Sequence, residues 1–397
     1  MASTDLPRPK PPIDFVEFSI ATVAGLALAF TTMFLCVVPF AGKIAASRDF
    51  VCFWATGQQL VHHANPYDAA SMKQIEQSAG LAKGYGVLFM RNPPYALPIV
   101  LPLGLVGLRI GAFLWSLAIF ASLIASVLIL WRMHGKPNNH LHWIGLSFGP
   151  ALLCAIMGQT TGFALLGYVL FLSLHRTHPF LAGTALWLCT LKPHLFIPFA
   201  AVLLVWIILS RSFKILLGAI FALAASCAIV YLLNPNAWAE YAQMMRSARL
   251  ESEYIPCLVV ALRLWLWPGA SWLQYMAPLL GSLWALAYFW PRRNGWDWEK
   301  HGNLLVLVSL LAAPYSWVYD GGLAIPALMQ GIYRTRSRPL LLLLTAASLA
   351  ILVELVSGIA IISPLFLWTV PFWFAWYLLA SATARQPQES QIPEQAI

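Results

Sequence analysis

A succession of apolar runs, separated by short polar gaps, extends over almost the whole chain and limits the folds that it can adopt. The first run, residues 18–40, is too long for the apolar part of a cleaved signal peptide and predicts a retained transmembrane helix. We therefore predict an all-α polytopic membrane protein with about 11 to 13 transmembrane helices. The later runs lie at 94–107, 110–131, 143–157, 160–174, 180–190, 194–210, 215–233, 272–290, 303–314, 318–333, 340–358 and 364–381.

The composition agrees with a membrane protein and argues against a nucleic-acid partner. Hydrophobic residues make up 60% of the chain and charged residues only 10%, whereas soluble domains carry about a quarter of charged residues. The net charge of +9 is spread over short gaps between apolar runs, as the positive-inside rule expects. We therefore expect membrane lipids around the chain and no nucleic acid.

The apolar runs predict one transmembrane domain, residues 18–384, between two disordered tails. Residues 1–17 form a proline-rich tail in which Arg8 and Lys10 favour the cytoplasmic side. Residues 385–397 are rich in glutamine, glutamate and proline, a composition that buries too little apolar surface to fold.

The longest polar segment, residues 41–93, directly follows the first span and therefore emerges at a membrane surface. Its pattern predicts two surface helices, at about 49–63 and 69–79, and the first ends before the turn at Pro66. We interpret this segment as an outer catalytic loop with juxtamembrane helices. Residues 234–257 are interpreted as a second, shorter outer loop.

Asp49, at the start of the first surface helix, is the candidate catalytic residue. A carboxylate held at the bilayer boundary can act as a general base on the hydroxyl of a lipid-borne substrate. An acid at this position can also cap the helix by accepting backbone N–H bonds. The two roles are compatible, since a cap would keep the carboxylate ionised and fixed.

Three short breaks interrupt the later apolar runs: Gly158-Gln159, Lys192-Pro193 and Pro314-Tyr315-Ser316. Non-helical backbone at membrane depth persists only where protein covers it or where it lines a water-filled cavity. The breaks therefore indicate an internal polar cavity. Gln159 either bonds a sugar there or satisfies backbone groups that the break leaves open.

Lys192 is an ionisable residue within an apolar stretch, and such residues are costly enough to indicate function by default. Its ammonium suits phosphate, and the alternative is a lysine that reaches for the membrane interface. His194 is expected to pack or to form hydrogen bonds rather than bind a metal. Arg91, at the end of the outer loop, either contacts a phosphate or is an ordinary surface arginine.

Asp320 follows a group of aromatic residues that includes Trp317 and Tyr319. Such a cluster can bind sugar hydroxyls while the rings pack on sugar faces. Alternatively, the aromatics form an interfacial belt and Asp320 pairs with an arginine. Trp54 and Tyr67 are expected to be interfacial anchors.

No metal site or cofactor is expected from the sequence. The pair His62-His63 has no acid or cysteine at metal-ligand spacing, and the six cysteines show no CxxC pairing. Glu354, within a leucine-rich run, needs a polar partner whatever its role.

Six polar motifs follow one another along the chain: Arg48-Asp49-Phe50 with Trp54, Asn65-Pro66-Tyr67, Asn92-Pro93-Pro94-Tyr95, Gly158-Gln159, Lys192-Pro193 and Pro314-Tyr315-Ser316-Trp317. Taken in order, they resemble those of glycosyltransferase family 87, a group in the GT-C superfamily of membrane transferases. The family often carries a histidine shortly after the Ser-Trp motif, where this chain has Tyr319-Asp320.

The resemblance implies a GT-C-like fold and an inverting transferase in a bacterial inner membrane, with its active site facing the periplasm. Its donor would be a polyprenyl-phosphate sugar, typically mannose, and its acceptor a lipid or glycan. Asp49 would be the base, and Lys192 with Arg91 would contact the donor phosphate. The other candidate substrate-binding residues are Arg48, Trp54, Tyr67, Tyr95, Gln159, His194, Trp317, Tyr319 and Asp320.

Two other functions are compatible with the sequence. In a transporter or lipid flippase, Lys192, Asp320 and Glu354 would line the translocation path. In a non-enzymatic assembly partner of envelope biogenesis, neither transfer nor transport would occur. The surface helix with an acid directly after the first span favours an enzyme, because a transporter has no evident use for it.

Overall fold

A computed structural model of the chain describes residues 15–37, 49–247, 254–335 and 337–383. Within these ranges the protein is helical and contains no strand, which confirms the predicted all-α class. Arg48 and residues 385–397 lie outside the described ranges, and so does most of the N-terminal tail. The α-helices are α1 (Phe15–Val37), α2 (Phe50–Val61), α3 (Ala69–Ser78), α4 (Leu101–Gly104), α5 (Leu108–Met133), α6 (His142–Leu146), α7 (Gly149–Met157), α8 (Thr161–Leu174), α9 (Pro179–Cys189), α10 (Ile197–Ser210), α11 (Phe213–Leu233), α12 (Ala237–Ser247), α13 (Leu258–Leu266), α14 (Leu273–Phe289), α15 (Trp298–Leu311), α16 (Ile325–Arg334), α17 (Arg338–Val356) and α18 (Thr369–Thr383).

Among the described residues, four helical stretches are long and apolar enough to cross a bilayer unaided: Ser19–Val37, Leu108–Met133, Phe213–Leu233 and Pro364–Thr383. Several other apolar helices, such as α8 and α9, are shorter than the roughly 20 residues that a perpendicular crossing needs. These helices confirm a polytopic membrane protein. The total number of spans stays a prediction.

The apolar run at 94–107 does not form a spanning helix. It folds into a short 3-10 helix, Pro94–Ile99, followed by α4. Prolines at 98 and 102 explain this, because a proline lacks the backbone N–H that a continuous helix requires. The segment instead packs against α2.

The two helices predicted for the outer loop form, as α2 and α3. The prediction that the first lies on the surface is wrong, because most residues of α2 are buried. Helix α2 lies directly against α4, where a Cβ atom added to Gly57 would be 2.5 Å from the Val100 carbonyl oxygen. The Trp54 indole donates to the Val106 carbonyl at 3.0 Å, and the Gln58 amide donates to the Gly104 carbonyl at 2.9 Å. These contacts fix the helix that begins immediately after Asp49.

The second outer loop contains a helix, α12, that the sequence pattern did not predict. The Tyr241 ring of α12 packs against Tyr67 with 5.5 Å between ring centroids, and Trp238 lies 6.2 Å from Tyr95. The second outer segment therefore covers the end of the first.

Candidate active site

The site is built around the break between α7 and α8. Helix α7 ends at Gly158, whose φ of 78° is left-handed, and the backbone N–H groups of Gly158 and Gln159 both donate to Cys154 O at 3.0 Å. This is a common helix ending, and glycine adopts it without strain. A Cβ atom at position 158 would lie 2.9 Å from Phe50 Cβ, so the turn packs against the start of α2.

Asp49 therefore lies beside this turn, and the Gln159 side chain reaches it. Gln159 Nε2 donates to Asp49 Oδ2 at 2.7 Å. Asp49 occupies the N-cap position of α2, but its side chain makes no capping hydrogen bond. The helix-cap interpretation of Asp49 is therefore wrong for this structure, and the carboxylate is held by a residue 110 positions away instead.

Asp320 is the second acid of the site, and it is fully buried. Its Oδ1 accepts hydrogen bonds from Thr161 Oγ1 at 2.5 Å and from Lys192 Nζ at 2.6 Å, while Oδ2 accepts from the Trp317 backbone N–H at 2.9 Å. Asp320 pairs with a lysine, so the expectation of an arginine partner is wrong.

Lys192 is buried with its partner and does not extend to an interface. The side chains of Lys192 and Asp320 are only 9% and 1% exposed. The Lys192 ammonium also lies 4.8 Å from the centre of the Tyr319 ring, a cation–π distance. Within the protein, then, the positive charge of Lys192 is compensated.

Tyr319 connects the two acids. Its phenol interacts electrostatically with both Asp49 and Asp320. The turn between α7 and α8 also contacts both acids, because Gln159 donates a hydrogen bond to Asp49 and Thr161 donates one to Asp320. Asp49 and the Lys192–Asp320 pair therefore belong to one polar cluster. Thr161 was missed in the sequence, although its place in the same polar break was a usable signal.

Aromatic rings enclose one side of this cluster. His194 stacks on Tyr315 with 4.1 Å between ring centroids, and it interacts electrostatically with both Lys192 and Asp320. His194 Nε2 is buried and has no hydrogen-bond partner within the described ranges. Trp317 stacks on Tyr319 at 6.1 Å. Tyr319 is buried and so is not part of an interfacial belt, whereas Tyr315 and Trp317 are partly exposed.

The end of the outer loop is tied to the segment that carries Lys192. The Asn92 side-chain amide donates to the Leu191 carbonyl at 2.6 Å, and the Tyr95 hydroxyl donates to the Thr190 carbonyl at 3.0 Å. Arg91 interacts electrostatically with Tyr315 and with Cys52 of α2. Asn92 was not singled out in the sequence, although it stands in one of the motifs.

Three other candidates lie elsewhere. Tyr67 is 5% exposed and packs on Tyr241, so its interpretation as an interfacial anchor is wrong. Trp54 holds α2 through its bond to the Val106 carbonyl. Glu354, on α17, has a buried Oε2 without a hydrogen-bond partner in the described part of the chain, and no contact there joins it to the Lys192–Asp320 pair.

A buried acid that the sequence analysis missed, Glu76 on α3, supports the loop that leads to Arg91. Glu76 is 0% exposed, and its Oε2 accepts the Leu88 backbone N–H at 3.1 Å. Its Oε1 has no hydrogen-bond partner among the described residues. Burial raises the pKa of Glu76 from 4.5 to about 7.

Glu76→Gln is expected to make the protein more stable relative to wild type as the pH rises from 5 to 8. The raised pKa means that the folded state favours the neutral carboxyl, whose contribution is complete below 4.5 and is lost as the pH passes through 7. The full effect is about 3 kcal/mol. Thermal unfolding in detergent at a series of pH values measures it. Lys73→Gln, at an exposed position of the same helix, is the control, and an unchanged pH dependence in Glu76→Gln would contradict the prediction.

Comparison with known proteins identifies one family. The sequence profile described as glycosyltransferase family 87 matches residues 89–314, which is more than half of the 397-residue chain. The matched range contains Gln159, Thr161 and Lys192, whereas Asp49 lies well before it and Asp320 shortly after it. Searches of curated proteins and of solved structures found no match.

Proposed function

Because this chain belongs to glycosyltransferase family 87 and is therefore a membrane glycosyltransferase, we propose that it transfers a hexose, typically mannose, from a polyprenyl-phosphate donor. The acceptor is a hydroxyl of a lipid or glycan. Its proton moves to Asp49 while the oxygen attacks the anomeric carbon. The bond from that carbon to the phosphate oxygen breaks, and polyprenyl phosphate leaves. One displacement of this kind inverts the anomeric configuration.

The difference between the two acids carries the assignment of the base. Asp320 is 0% exposed, accepts three hydrogen bonds and is neutralised by Lys192. A carboxylate enclosed and bonded in this way cannot reach a substrate hydroxyl without losing these contacts. Asp49 is partly exposed, directly precedes α2, and is bonded to Gln159 of the turn between α7 and α8. A general base must reach the bound substrate and must be able to pass on the proton that it takes. Asp49 meets both conditions better than Asp320 does.

The phosphate of the donor needs charge neutralisation rather than a strong general acid, because it is a good leaving group. Lys192 uses one of its three N–H groups on Asp320 and keeps two for a phosphate oxygen. Arg91 approaches from the outer loop and adds a second cation on the Tyr315 side. We assign both residues to the donor phosphate.

His194, Trp317 and Tyr95 are proposed to contact the sugar or the acceptor. His194 and Trp317 present rings and polar atoms to the cluster, and Tyr95 lies next to the Lys192 segment. The position of Asp49 after the first span supports an active site on the periplasmic side of a bacterial inner membrane. A lipid monophosphate donor needs no metal to bridge two phosphates.

The decisive experiment incubates purified protein with polyprenyl-phosphate mannose and a panel of lipid and glycan acceptors. We expect a new glycosidic bond of inverted anomeric configuration, and no product from a nucleotide-linked mannose. Product analysis by mass spectrometry and NMR measures both. A product of retained configuration, or a product formed only from the nucleotide donor, would overturn the proposed function. The proposed function would also be overturned if the protein moved the lipid substrate across vesicle membranes without forming a new glycosidic bond.

A further inference from the structure

Gln159 has a role that its place in the sequence does not indicate. We propose that Gln159 is a positioning residue for the catalytic base, and that it acts on Asp49 rather than on the sugar. The inference depends on the proposed function, since it takes Asp49 as the base. It starts from the 2.7 Å hydrogen bond from Gln159 Nε2 to Asp49 Oδ2.

The backbone on which Gln159 stands is fixed from several directions. The buried Trp115 indole donates to the Gly158 carbonyl at 2.7 Å. Cys154 contacts both sides of the residue, since its carbonyl accepts the Gln159 N–H at 3.0 Å and its thiol donates to the Gln159 carbonyl at 3.1 Å. A side chain on such a backbone is positioned before substrate binds, which is what an orienting residue requires.

The bond also has a chemical consequence for Asp49. A hydrogen bond donated to a carboxylate favours its ionised form, which is the form that a base needs. The amide fixes the orientation of the carboxylate through its Oδ2 atom. An amide does not itself titrate, so Gln159 can orient the base without competing for that proton.

Two ionisable groups among the described residues interact electrostatically with Asp49 and bear on the pH profile. Cys52, on α2, and Tyr319 both interact electrostatically with Asp49, and Glu76 and Arg91 act on Cys52 in turn. Burial raises the pKa of Cys52 well above its usual value, and a phenol ordinarily titrates near 10. Of this set, Glu76 titrates near neutral pH, so its contribution must be separated from that of Asp49.

The test compares Gln159→Leu with Thr160→Val in the transfer assay. Thr160 is the next residue of the same turn, is fully buried, and its hydroxyl has no hydrogen-bond partner among the described residues. Gln159→Leu is expected to lower kcat about 10- to 100-fold while KM for donor and acceptor changes less than about threefold. The acidic limb of its pH–rate profile should move up by about one unit. Thr160→Val should behave like wild type.

The outcomes separate this inference from the proposed function. The inference about Gln159 would be overturned by a Gln159→Leu protein with the kcat and the pH profile of Thr160→Val. It would also be overturned by a raised KM at unchanged kcat, because that result indicates a role in substrate binding. The pH–rate profiles are measured again in the Glu76→Gln background. If the shift caused by Gln159→Leu disappears in that background, the inference is overturned as well. Should Gln159→Leu fail to fold, Gln159→Met gives the same comparison. An inactive wild type would instead refute the proposed function. A fully active Asp49→Asn would refute the assignment of the base and, with it, this inference.

Discussion

Asp49→Asn is expected to lower the rate of sugar transfer about 1,000-fold while the protein remains folded. The substitution keeps the size of the side chain and leaves an oxygen that can accept the hydrogen bond from Gln159. It removes the ability to take a proton, and a general base contributes between about 100- and 10,000-fold to a rate. The measurement is product formed from polyprenyl-phosphate mannose, together with thermal unfolding of both proteins.

Asp68→Asn is the matched control, because Asp68 is an acid of the same outer loop. Its carboxylate caps α3 by accepting the Ser71 backbone N–H at 2.8 Å. Asparagine caps helices as well as aspartate does, so this variant should transfer sugar at the wild-type rate. If Asp49→Asn retained more than about a tenth of the activity, the catalytic role would have to move to another residue.

Much of the fold could be predicted because apolar runs and helix-breaking residues are local signals. Helices α2 and α3 were found from their period and from the turn at Pro66. Helix α12 was not predicted, because residues 234–257 were interpreted as a loop. Its position depends on Tyr241 packing against Tyr67, a contact between residues far apart in the chain. Tertiary packing of this kind leaves little trace in a local pattern.

The sequence identified which residues carry charge in the site but not how they pair. Asp49 and Gln159 are 110 positions apart, and Lys192 and Asp320 are 128 positions apart. The high cost of an ion in a membrane interior predicts that Lys192 needs a partner, but not which one. That choice follows from the packing of the Val318–Ala324 segment on α7 and α8, which depends on the whole bundle.

The same pairing predicts the largest effect on stability. Asp320→Ala is expected to lower the free energy of unfolding by about 3 to 5 kcal/mol, because it leaves the buried Lys192 ammonium without its counter-charge. The hydroxyl of Thr161 and the backbone N–H of Trp317 also lose their acceptor. Thermal unfolding in a single detergent measures the loss. Asp297→Asn is the control, since it weakens the exposed Arg176–Asp297 pair, which is worth at most about 1 kcal/mol.

The double variant Lys192→Met with Asp320→Asn separates stability from chemistry. It removes both charges, so no buried charge is left unpaired. Its free energy of unfolding should therefore be higher than that of Asp320→Ala and close to that of wild type. If Asp320→Ala cost no more than Asp297→Asn, the buried pair would not hold the cluster together. The double variant should nevertheless transfer sugar slowly, because no ammonium remains for the donor phosphate. A stable double variant with wild-type transfer would show that Lys192 serves the fold alone.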